Sequence, residues 1–213
     1  EMSGLLDEYR RIEKALKTAK KTRVSFLNVD IVGSTKMKEG ENRTVIAASF
    51  QAYEDLLRGI FARHQSWKQN WTPDGVLIAF LDSPSAVAAA QQVIGDLKVF
   101  NRDENRMKMP FRVRCGVHVG ELPIFDDTKL ESFSDPVIDV TMHLQKYAAH
   151  NGVLVSADVL AELHSREGFH PGSRAVDGFA TYQWSPDGAP PITDPTPTPT
   201  DRKSTRLNSS HVA

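Results

Sequence analysis

The segment Phe26 to Thr35, FLNVDIVGST, constrains this chain more than any other. Val24 to Val29 is a short apolar run with β-branched ends, which is the pattern of a strand buried on both faces. It ends on a carboxylate, Asp30, and then turns through Gly33-Ser34-Thr35 into the expected start of a helix. Open sheets place ligands at the carboxyl ends of such strands. Unpaired N–H groups at a helix start suit phosphate oxygens. A carboxylate beside phosphates makes electrostatic sense only with a cation between them. On these residues alone, Asp30 is either a metal ligand or a helix cap.

The remaining periodicities predict a mixed fold. Helices are expected over 3–20, 43–64, 84–100, 136–149 and 157–164. Strands are expected over 67–71, 76–80, 111–119, 153–155 and 176–184. This mixture implies an α/β or α+β sheet with helices packed on it. Asp74-Gly75 between two predicted strands signals a hairpin, and a turn there needs no metal. If its strands neighbour the one ending at Asp30, the two carboxylates converge. They then suit two cations ~3.5–4 Å apart, the arrangement used for in-line phosphoryl chemistry.

Composition limits the alternatives. Lys+Arg is 26 against 27 for Asp+Glu, a balance that argues against an electrostatic nucleic-acid binder. The single cysteine, Cys115, lies in an apolar strand pattern and reads as a small buried hydrophobe in a reducing compartment. No apolar run approaches a membrane span and no leader is visible, so a cytoplasmic protein is expected. The helix over 3–20 carries a basic face that reads as solvated. A Pro/Thr-rich stretch over 187–200 cannot build a core. Residues 201–211, DRKSTRLNSSH, resemble a translated sequencing adapter, so 201–213 are expected to be non-native. The expected organisation is an extension over 1–21, one domain over 22–186, and the two tail pieces.

Five segments in order carry a resemblance: FLNVDIVGST, DGVLIAF (74–80), FRVRCGVHVGE (111–121), PVIDVTMHLQKYA (136–148) and GVLVS (152–156). Over residues 22–165 the chain resembles the class III adenylate/guanylate cyclase catalytic domain. The resemblance implies an α+β, ferredoxin-like fold with a central, mostly antiparallel sheet, working as a head-to-tail homodimer. It implies two Mn²⁺ or Mg²⁺ ions held by Asp30, Ile31 and Asp74. It places the triphosphate on Ile31, Gly33, Ser34 and Thr35.

The departures are specific. Where purine-specific members carry a base-selecting lysine, this chain has Asn70, and where they carry a base-reading aspartate it has Ser132. The glycine before the second metal aspartate is Pro73. The helix that normally offers asparagine and arginine offers Asp139 and His143 instead. At i and i+4 these share a face, so Asp139 is expected to support His143 as a cation aimed at the developing phosphate charge. The pattern resembles the pyrimidine cyclases of the bacterial Pycsar phage-defence system, which form cyclic UMP or cyclic CMP for a separate effector protein. That resemblance implies UTP, then CTP, as substrate, with Tyr53 filling space beside the smaller base. Two further readings stay open: a purine cyclase, and an inactive cyclase-fold module that binds nucleotide or dimerises. Trp71 reads as hairpin packing. Arg112 and Arg114 read as outer-face arginines and His118 as a structural histidine, and none of the four is assigned to the site.

Overall fold

A computed structural model of the chain describes residues 21–124, 127–186 and 188. The predicted helix over 3–20 and nearly all of the tail lie outside the described residues.

Among the described residues seven strands form one sheet: β1 (Thr22–Ile31), β2 (Lys68–Trp71), β3 (Gly75–Phe80), β4 (Val113–Leu122), β5 (Gly152–Ser156), β6 (Phe169–Pro171) and β7 (Thr181–Trp184). Their order is β2-β3-β1-β4-β5-β7-β6, and every pair is antiparallel except β4–β5. The helices are α1 (Ser34–Lys38), α2 (Arg43–Arg63), α3 (Ser83–Asp103), α4 (Pro136–Tyr147) and α5 (Ala157–Glu162), with a 3₁₀ turn at Leu130–Ser132.

Helices cover both faces, which is why β1 is buried continuously from Val24 to Leu27. Alternate β1 side chains enter different cores. Leu27, Val29 and Ile31 pack with α2, α3 and α5. Val24 and Phe26 pack on the opposite side with Leu130 and Ile138. Gly116 brings α4 onto that second face. A Cβ there would collide with the Gln145 amide nitrogen and stand 2.6 Å from the Thr141 carbonyl oxygen. The helix backbone therefore rests on β4 itself. Asp135 caps α4 by accepting from the Val137 N–H at 2.9 Å, and Pro136 occupies its first turn.

Several boundaries differ from the sequence expectation. β4 begins at Val113, not Phe111, because Asn101 takes both main-chain groups of Phe111, at 2.7 and 2.8 Å. It runs past Gly120, whose missing side chain makes room for Val137. The expected strand over 176–184 is a tight turn followed by β7. Val176 and Phe179 exchange main-chain bonds, with Asp177 at φ 48° and Gly178 at φ 86°. Asp74-Gly75 is not the centre of the β2–β3 turn. Thr72 N–H donates to the Gly75 carbonyl at 2.9 Å, and Gly75 opens β3.

Candidate active site

The site follows from strand register. β1 and β3 pair so that Asp30 stands opposite Gly75, which puts Asp74 at the same sheet end. Ile31 N–H donates to the Asp74 carbonyl oxygen at 3.0 Å, and Val32 N–H to Arg112 at 2.8 Å. Gly75 is needed for this closeness: a Cβ would stand 2.6 Å from the Val29 carbonyl oxygen and 3.3 Å from Asp30 Oδ1. Just beyond, Gly33 adopts φ 67°, a left-handed turn that glycine takes without steric cost, and α1 starts at Ser34. Ser34 is buried, whereas Gly33 and Thr35 are exposed.

The carboxylates differ in environment. Burial raises the Asp30 carboxyl above its ordinary value, and the nearby Asp74 charge raises it further. Arg114, opposite Asp30 in the β1–β4 register, and a hydrogen bond from Gln145 partly offset this. Asp74 is more open and meets Lys38 Nζ at 3.4 Å. The same ammonium lies 4.5 Å from the Phe50 ring centroid. Beside Asp74, a cavity of about 210 Å³ is lined by Ile31, Phe50, Tyr53, Trp71 and Pro73 among others.

The donor set fits a hard divalent cation. Mg²⁺ and similar ions take one or two carboxylates and leave the other positions to water and substrate phosphates. Asp30 and Asp74, with the Ile31 main chain between them, supply such a partial set. Among the described residues no three His, Cys, Asp or Glu side chains converge on a possible metal position, so this set is not a closed protein cage.

The other expected residues do not gather here. Tyr53 is buried, its ring stacked on Phe111 at 5.0 Å and edge-on to Phe100 at 6.0 Å. It walls the cavity from the core, and its buried hydroxyl has no hydrogen-bond partner among the described residues. Asn70 lies on the other sheet face. Its neighbour Leu77 belongs to the cluster around Phe26 and Leu130, whereas Trp71 packs 6.3 Å from Phe61 on α2. Tyr53 and Asn70 therefore do not meet within one chain. Ser132 closes the 3₁₀ turn.

Asp139 and His143 stand on the exposed side of α4, while Gln145 of the same helix turns inward to Asn28, at 3.4 Å. The expected Asp139–His143 pairing is corrected by the fold: His143 Nδ1 bonds Asp177 Oδ2 at 2.6 Å. The Val176–Phe179 turn delivers that carboxylate, and no helix periodicity reports a contact between a helix and a distant turn. Asp177-Gly178 does carry a local hairpin signal that a closer reading of the sequence finds. Lys38, Gln145 and Arg114 also escaped sequence reasoning as neighbours of the carboxylates. Arg114 is half-buried beside Asp30 and is not an outer-face residue. His118 is structural: it is buried, bonds Ser156 Oγ at 2.8 Å, and burial pushes it below its ordinary value. Cys115 is fully buried, and burial raises its thiol.

No protein-family model matches the chain, and no curated protein matches it in sequence. Solved structures do match in shape. The adenylyl cyclase CyaB from P. aeruginosa superposes with a TM-score of 0.67 at 15% identity, over 78% of this chain and 94% of that one. The adenylate/guanylate cyclase/hydrolase from Silicibacter pomeroyi gives 0.64 at 22% identity, over 80% and 100%. The guanylate cyclase domain of RhGC from Catenaria anguillulae, solved in complex with GTP, gives 0.66 at 16%, over 78% and 97%. At these identities the likeness speaks for architecture: the chain has the α+β fold of the class III nucleotidyl cyclase catalytic domain.

Proposed function

We propose that this protein is a nucleotidyl cyclase that converts a pyrimidine nucleoside triphosphate, UTP before CTP, to its 3′,5′-cyclic monophosphate and pyrophosphate. One observation carries the reading: Asp30 and Asp74 converge at a sheet end beside the Gly33 turn, within a cyclase fold. Asp30, Ile31 and Asp74 would hold Mn²⁺ or Mg²⁺. When bound, these ions supply positive charge to the triphosphate and acidity to the 3′-hydroxyl. Gly33, Ser34 and Thr35 seat the phosphates through main-chain N–H groups and hydroxyls, and Ile31, whose own N–H is taken by the Asp74 carbonyl, lines the site beside them. The 3′-hydroxyl oxygen attacks the α-phosphorus, its proton leaves, and the bond to pyrophosphate breaks.

The site is shared between two copies in a head-to-tail homodimer. The exposed position of Asp139 and His143, on the side of α4 away from Gln145, supports their service to a partner's triphosphate. Asn70 and Tyr53 lie on opposite sheet faces, so a base touched by both also lies between subunits. The pyrimidine preference rests on Asn70 and Ser132, which stand where purine cyclases read the base. By the same resemblance the product is an antiviral second messenger for a separate effector, made in the cytoplasm. Among the described residues no helix is long and apolar enough to cross a membrane.

The test is incubation with each of the four triphosphates and Mn²⁺, with products resolved by chromatography. Cyclic UMP or cyclic CMP as the main product supports the proposal. Dominant cyclic AMP or cyclic GMP makes the protein a purine cyclase. No product from any nucleotide, with tight binding retained, makes it a binding or dimerisation module.

A further inference from the structure

We infer that Asp177 is the positioning residue for His143, fixing which imidazole nitrogen faces the triphosphate; the inference rests on the cyclase reading of His143. Asp177 Oδ2 lies 2.6 Å from His143 Nδ1. A carboxylate accepts only, so Nδ1 carries the proton and Nε2 is the nitrogen left for other contacts. An exposed His–Asp pair by itself is worth little, because both side chains are free to drift. Here the backbones that carry both residues are held together.

Asp177 sits at the tip of a two-residue turn closed by both main-chain bonds between Val176 and Phe179, at 3.0 and 2.8 Å. Its left-handed φ of 48° and that of Gly178, 86°, match the hairpin turn that Asp-Gly favours. The turn is anchored in the core. Val176 is buried against Val140 and Leu144 of α4, and Phe179 meets the buried His118 ring edge-on, with centroids 4.6 Å apart. A second tie crosses the same gap: the Arg174 guanidinium stands 4.4 Å over the Tyr147 ring, one helical turn beyond His143. The Arg174 carbonyl accepts from Thr181 Oγ1 at 2.6 Å. The segment is thus pinned to α4 on both sides of His143, and Asp177 is held where it meets the imidazole. In the imidazolium the remaining Nε2–H is the donor left for an α-phosphate oxygen of a nucleotide bound by the partner.

The test is long-range proton–nitrogen NMR on histidine-labelled protein, with His143 assigned by His143→Gln, alongside steady-state kinetics. In the unmutated protein the neutral His143 ring is expected to carry its proton on Nδ1. Asp177→Gly removes the carboxylate but keeps the turn, because glycine accepts the left-handed φ. It should move the neutral ring's proton to Nε2 and, because the ring is then no longer oriented from Nδ1, lower kcat by about tenfold with little change in KM. Asp177→Asn suits the turn, but its amide can donate to Nδ1 as well as accept from it, so it should leave the tautomer mixed and restore only part of kcat. An Nε2-protonated ring in the unmutated protein, or an unchanged kcat in Asp177→Gly, overturns the inference while leaving the cyclase reading intact. Absence of turnover in the unmutated protein overturns the cyclase reading, and with it the catalytic part of this one. The tautomer then still reports whether the pair exists.

Discussion

Ile31 donates its main-chain N–H to the carbonyl oxygen of Asp74 at 3.0 Å, tying the β2–β3 turn to the end of β1. The bond fixes the spacing of the Asp30 and Asp74 segments without using either carboxylate. The backbone thus holds the two carboxylates near each other despite their repulsion, with Lys38 beside Asp74 and Gln145 beside Asp30.

Replacing these carboxylates separates chemistry from folding. Asp30→Asn or Asp74→Asn should lower cyclic-nucleotide formation by on the order of a hundredfold or more. The thermal transition should remain cooperative, because the main-chain bond between the segments is untouched. Initial rates beside a melting curve check this, and full activity in the double variant would refute the two-metal site.

Asp30 should also govern a pH-dependent part of stability. Burial and Asp74 raise its carboxyl in the folded state, so the folded chain binds that proton more tightly than the unfolded chain. Stability therefore falls as pH rises from the ordinary carboxylate value through the raised one, and stays reduced above it. In metal-free buffer, Asp30→Asn should raise Tm at neutral pH and leave it nearly unchanged near about pH 3, where both states of the wild type are protonated. Millimolar Mn²⁺ should raise the wild-type Tm and not that of an Asp30→Asn, Asp74→Asn double variant.

Lys38 is expected to compete with the cation. Its ion pair with Asp74, at 3.4 Å, is partly exposed, so Lys38→Ala should change stability by less than about 1 kcal/mol. Removing that ammonium should tighten Mn²⁺ binding by a few-fold, measured by titration calorimetry without nucleotide. Weaker binding in the variant would contradict competition.

Two glycines should respond oppositely to alanine. At Gly116 a Cβ meets the backbone of α4 at Gln145 and Thr141, which cannot swing aside, so Gly116→Ala should destabilise by about 1–3 kcal/mol or more. At Gly95, an exposed position inside α3, a Cβ meets nothing within 4 Å. Gly95→Ala should stabilise by about 0.5–1 kcal/mol. Denaturant unfolding of both variants reads the contrast.

Much of the fold was legible from local patterns. Val24–Val29 reads as a doubly buried strand, the long helices follow their apolar period, and the Asp74-Gly75 region lies in a hairpin connection. The misses share one cause: a distant side chain or segment replaced a local signal. Asn101 satisfies Phe111, so the strand starts later. Gly120 reads as a strand end, yet it is kept inside β4, where it makes room for Val137. The short edge strand β6 pairs only with β7 and shows no periodicity of its own.

By itself the sequence determined where Asp30 and Asp74 sit along the chain: one at the end of a buried strand, one in a turn. Period-two burial and turn chemistry are local properties, readable residue by residue. Only the tertiary structure decided that these carboxylates share a sheet end, that Lys38 and Arg114 flank them, and that His143 pairs with Asp177 and not Asp139. Those outcomes depend on strand register and on how a turn docks against a helix. Both are set by packing two cores on opposite sheet faces at once, where glycine at Gly75 and Gly116 lets backbones approach closely.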